Sequence, residues 1–108
     1  MKGTMTSYQA VRNDAVGAWV YNRRGNVSRR LGQYQRAIQD YHEAIRRAPR
    51  FAESYAGRAF TYILLSRDEE AQQDMVRAVE LGFDPALLER EVAVLMKRRQ
   101  EVIQTKGK

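Results

Sequence analysis

Five segments of this chain carry apolar residues at helical spacing, and they predict helices at about 15–30, 34–47, 52–65, 67–81 and 85–102. Gly32 breaks the first from the second and Ser66 the third from the fourth, so each couple reads as an antiparallel hairpin. Ser66 and Glu69 form an S-x-x-E pattern, expected to cap the fourth helix. Gly82 suits the left-handed residue that ends a helix. Asp84 then stands as the cap of the fifth, with Pro85 at its first position, where no amide hydrogen is needed. Residues 1–14 read as an N-terminal extension with a partial helix through Tyr8–Arg12, and residues 104–108 as a tail.

Shifted by 34 residues, the chain matches itself in a fixed order of small and large side chains. Ala18 meets Ala52, Tyr21 meets Tyr55 and Arg24 meets Arg58. In the second helices, Ala37 meets Ala71, Asp40 meets Asp74 and Ala44 meets Ala78. The small residues allow two helices to approach closely, and Tyr21, Tyr41, Tyr55 and Tyr62 fill the space beside them.

The run Tyr21–Gly25, Leu31-Gly32-Gln33-Tyr34, Ala37, Tyr41, Ala44 and Pro49 resembles a tetratricopeptide repeat, and the second copy keeps Tyr55, Ala59, Tyr62, Ala71 and Ala78. The resemblance implies an all-α fold, a right-handed superhelical stack of antiparallel helix hairpins. Its domain would cover 15–103, with repeats at 18–51 and 52–85 and a capping helix at 85–103. Arg24 and Arg58 stand where the family usually has leucine and Ser28 replaces a tyrosine, departures expected to loosen the first helix of each repeat. Gly82-Phe83 stands where a proline would close the second copy. In the fifth helix Leu88, Val92 and Leu95 are expected to face the second repeat, with Glu89, Arg90, Glu91 and Arg98 toward water. Its second half still carries Met96, Val102 and Ile103, which a simple lid does not require.

Composition narrows the chemistry. Zero cysteines exclude disulfides, thiolate metal sites and cysteine nucleophiles, and a single histidine, His42, excludes multi-histidine metal sites. His42 reads as an ordinary surface residue, and Asp68, Glu69 and Glu70 as a helix first turn that favours acids. No phosphate-cradling glycine loop or nucleophile–base pair is visible, so no cofactor, metal or enzymatic activity is expected. No apolar run approaches a membrane span, and the first residues lack an apolar signal core, so a cytoplasmic location is expected. The net charge is +6, carried mostly by arginine, the residue best suited to forked contacts with carboxylates. Lys97, Arg98 and Arg99 read as a solvated face.

In the tetratricopeptide family the first helix of each repeat lines a concave, peptide-binding side. The resemblance therefore implies a site of Trp19, Asn22, Arg23, Asn26, Arg29 and Arg30 from the first repeat and Ala56, Phe60, Ile63 and Leu64 from the second. One half is polar and basic, the other apolar, which calls for a protein or peptide partner with acidic groups beside an apolar side chain. Some family members clamp a terminal carboxylate with a lysine and asparagines. Asn26 occupies one such slot, but Asn22 and Gly57 replace other members, so a solvated groove residue is the expected role of Asn26. A non-enzymatic interaction module is the leading reading. The alternative is self-association, a homodimer through the apolar groove and last helix, because a two-repeat array is short. A basic nucleic-acid-binding protein comes third, disfavoured by the absence of a recognised motif.

Overall fold

A computed structural model of the protein describes residues 7–106. They form five helices: α1 (Ser7–Arg30), α2 (Tyr34–Arg47), α3 (Ala52–Leu64), α4 (Asp68–Glu80) and α5 (Pro85–Lys106). No strand is present among the described residues. The chain is thus all-α, as the apolar spacing predicts. α1 starts well before residue 15 and takes in the stretch read as a partial helix, while α5 runs on through most of the expected tail. Residues 1–6 of the expected extension and 107–108 of the tail lie outside the described residues.

α1 packs on α2 and α3 on α4 as two hairpins, and the pairs are joined through α2 against α3. The small residues at Ala37, Ala44, Ala59, Ala71 and Ala78 are all buried, so the close approach they were expected to permit is realised in both pairs. α5 lies along α3, where Leu88 and Leu95 join Ala56, Phe60 and Ile63 in the apolar core. Glu89, Arg90, Glu91 and Arg98 face solvent.

The tight turns follow one recipe. Gly32 has φ +80°, its amide donates to the Arg29 carbonyl, and the Gln33 amide donates to that of Ser28. Thirty-four positions on, Ser66 takes the same left-handed conformation (φ 59°) with the same two bonds, to Ile63 and from Arg67 to Tyr62. This is the glycine-type helix ending, executed by a serine. The capping-box expectation is therefore wrong. Ser66 closes α3 instead of opening α4, whose cap residue is Arg67 and has no side-chain cap bond. Gly82 repeats the motif after α4 with φ +105°. The Asp84 expectation holds: its carboxylate accepts from the Ala86 amide at 3.0 Å, and Pro85 opens α5.

Candidate binding surface

The ten residues of the expected groove separate into two groups. Ala56, Phe60 and Ile63 are buried, because α5 covers them with Leu88 and Leu95. Asn22 is buried as well, accepting a hydrogen bond from the Ser54 hydroxyl at 3.0 Å. These four hold the helices together and offer no surface to a ligand, which corrects the expected apolar half of the groove and removes the Phe60 patch as a dimer contact. Leu64 is half-buried at the rim. Trp19, Arg23 and Arg30 are exposed, and the Arg23 guanidinium lies 5.0 Å from the Trp19 ring centre.

Asn26 and Arg29 have internal partners. The Tyr41 hydroxyl donates to Asn26 Oδ1 at 2.5 Å, and Arg29 Nε donates to the Tyr41 oxygen at 3.3 Å while its guanidinium covers the Phe60 ring. Asn26 is thus bonded to the core and is not the freely solvated residue expected. Burial pushes the Tyr41 phenol up in pKa, which keeps it a proton donor to Asn26. The ring is wholly buried between two glycines. A Cβ on Gly25 would sit 2.8 Å from it, and a Cβ on Gly57 2.5 Å. Gly57, which looked like a lost polar groove position, is the slot into which the first repeat inserts its tyrosine.

The arginines that replace leucine do not loosen the repeats. Arg58 Nε donates to Asp74 Oδ2 at 2.7 Å and its second fork nitrogen to Oδ1 at 2.8 Å. Arg24 approaches Asp40 in the same way, at 3.0 and 2.7 Å, but both bonds reach Oδ1. Each guanidinium also lies over the tyrosine three residues before it, Tyr55 or Tyr21. Each fork ties the first helix of a hairpin to the second through a polar contact, at positions where leucine was expected.

A cleft of about 340 Å³ opens where α3 and the second half of α5 meet the start of α2. Tyr34, Leu64, Val102 and Ile103 supply apolar surface, and Arg98 and Arg99 supply charge. Arg99 is not the solvated residue expected. It donates to the Ile63 carbonyl at 3.0 Å and to Asp68 Oδ1 at 2.7 Å, clasping α5 to the end of α3 and the start of α4. That guanidinium holds the Asp68 carboxyl below its usual pKa range. Sequence reading missed Tyr34 and the α5 lining, although the surplus apolar residues Val102 and Ile103 were the signal.

The architecture defines a helical-repeat protein: two antiparallel hairpins, related by a shift of 34 residues and closed on one side by a further helix. The family model for the tetratricopeptide repeat matches residues 18–51, which run from Ala18 of α1 through α2 and its following turn, and the five-helix fold is consistent with a repeat of that kind. α3 and α4 reproduce the glycine-type turn, buried alanines and arginine–aspartate fork of α1 and α2. Repeats of this kind generally mediate protein–protein interaction. No curated protein matches the chain, and no solved structure does. Among the described residues no helix is long and apolar enough to cross a membrane.

Proposed function

We propose that the protein is a non-enzymatic interaction module that takes an acidic segment bearing an apolar side chain from a protein partner. The observation that carries this reading is the cleft of Tyr34, Leu64, Val102 and Ile103 beside Arg98. Arg30 ends α1 close in sequence to Tyr34, so the basic edge of Trp19, Arg23 and Arg30 leads toward the same end of the molecule. An apolar side chain seated in the cleft would place neighbouring carboxylates within reach of arginine forks. The helices are already rigidly held, so binding needs little rearrangement.

The basic surplus argues for a local acidic contact and against a phosphate-tracking stripe. Among the described residues Arg24, Arg46, Arg47, Arg58, Arg67, Arg77 and Arg99, seven of the fifteen arginines, are each paired with an aspartate or glutamate of the chain itself, so nearly half of the guanidinium charge is already neutralised within the fold.

Affinity capture from the source cells tests the reading, with the wild type compared against Arg30→Glu and Ile103→Asp, both at exposed positions. Each substitution should remove the same specific partner while leaving the melting temperature in place. If both variants retain the wild-type partners, the cleft is not the binding site. Phe60→Asp is unsuitable here, because it would report on the core.

A further inference from the structure

Every polar side chain that lines the cleft of the proposed partner site can donate a hydrogen bond, and no carboxylate lines it. Arg98 is exposed and forms no ion pair among the described residues, whereas the charge of Arg99 is matched by Asp68. Ser66 is exposed too, and its hydroxyl has no hydrogen-bond partner among the described residues. Arg99 keeps these two groups side by side. Its bonds to the Ile63 carbonyl and to Asp68 Oδ1, at 3.0 and 2.7 Å, straddle Ser66 in the chain. The part of α5 that carries Arg98 is thereby held against the turn that carries Ser66. Val102 follows Arg98 by four residues, so both belong to one face of α5. Among the described residues Ser66 alone, other than glycine, takes a left-handed conformation, at φ 59°. The equivalent turns at Gly32 and Gly82 use glycine there. Glycine fits such a position at lower conformational energy, so the serine costs the fold stability. What serine adds is a hydroxyl, at a place where the chain lines the cleft.

We infer that Ser66 and Arg98 together read a side-chain carboxylate of the partner, the guanidinium supplying charge and the hydroxyl a second donor, while the neighbouring apolar side chain rests on Val102 and Ile103. Resting on the cleft as the partner site, this assignment makes Ser66 a specificity-determining residue there. An ionised carboxylate is purely an acceptor, which matches a wall that offers donors. A side-chain amide of the same shape brings its own N–H groups toward the guanidinium and is rejected. A phosphate monoester carries close to two negative charges, and one of them would stay unmatched because Asp68 already holds Arg99.

Amide-shift titrations of the full chain by nuclear magnetic resonance test it. The probes are two dipeptides, aspartyl-leucine and asparaginyl-leucine, each acetylated and amidated so that the aspartate side chain carries the only charge. The wild type should bind the acidic probe about tenfold more tightly than the neutral one, the order expected of a hydrogen bond to a charged group. Arg98→Gln should abolish that preference. Ser66→Gly should melt at a higher temperature than the wild type yet bind the acidic probe about threefold more weakly. Ser66→Asn keeps a side-chain donor and tolerates the left-handed backbone, so it should recover most of the loss. A Ser66→Gly chain that binds the acidic probe like the wild type, or a wild type with equal affinity for both probes, would overturn the assignment while leaving the cleft as the partner site, provided that Ile103→Asp still removes binding. A wild type without saturable shifts around the cleft, or an Ile103→Asp chain that binds both probes unchanged, would overturn the partner site and the assignment together.

Discussion

The two hairpins share a plan, yet the second is the more completely built. Asp74 has both carboxylate oxygens taken by Arg58, whose side chain is only 18% exposed. Asp40 is equally buried, with its side chain 3% exposed, but Arg24 grips a single oxygen and is itself 52% exposed. Asp40 Oδ2 is left buried without a hydrogen-bond partner among the described residues. α3 packs against α4, α2, α5 and α1, whereas the neighbours of α1 are α2 and α3, and α1 exposes Val16, Val20 and Val27. The same arginine–aspartate fork is therefore sheltered in one repeat and open in the other. Position in the stack, more than local sequence, decides how much a repeated residue contributes.

The largest contrast should come at Gly57 and its equivalent, Arg23. Gly57→Ala would drive a methyl group into a Tyr41 ring that has no room to move and should cost about 3 kcal/mol in denaturant unfolding. Arg23→Ala, on the surface, should stay within about 0.5 kcal/mol of wild type. Equal effects would mean that the first repeat does not insert its tyrosine into the second.

Next come the forks. Asp74→Ala strands the half-sheltered Arg58 and should cost about 2–3 kcal/mol, whereas Asp40→Ala should cost about 1 kcal/mol because Arg24 returns to water. Chemical denaturation of both variants checks the order, and a larger loss for Asp40 would reverse the comparison drawn above.

The turns give a smaller and opposite pair of effects. Ser66→Gly relieves a left-handed serine and should stabilise by about 0.5–1 kcal/mol, while Gly32→Ser should destabilise by a similar amount. Thermal melts of the two variants should move in opposite directions.

The smallest effect is a pH dependence centred on the junction between repeats. Burial, then the Arg58 guanidinium, holds the His42 imidazole below its ordinary pKa. The unfolded chain thus binds this proton more readily than the folded one. The contribution is complete above about pH 6.5 and declines as pH falls below it. His42→Gln should flatten that part of the stability curve, and an unchanged slope would show that the Arg58 contact carries no such linkage.

Much of this plan was legible in the chain. The 34-residue register, the buried alanines, the three short turns and the Asp84–Pro85 start of α5 all follow from local side-chain size and backbone preference. What was not legible depends on long-range company. Ser66 satisfies a capping pattern, but its backbone is claimed by the end of α3. Arg24 and Arg58 read as defects until Asp40 and Asp74 are seen opposite them. Phe60 and Ile63 look like groove residues because their helix faces the right way, and only the path of α5 shows that they are covered. Arg99 lies in a basic run, and its partners Ile63 and Asp68 are more than thirty residues away. In the proposed reading the basic edge comes from the sequence, while the apolar part lies at Leu64, Tyr34 and the end of α5, which line the observed cleft.

The seating of Tyr41 between Gly25 of its own repeat and Gly57 of the next expresses the stacking of the two hairpins in one contact. Nuclear Overhauser measurements on the full chain read it directly. The Tyr41 ring protons should show strong cross-peaks to the α-protons of both glycines, and the ring current should displace both sets of α-proton shifts. Cross-peaks to Gly25 without any to Gly57 would mean that the first hairpin forms but the second does not stack on it as described.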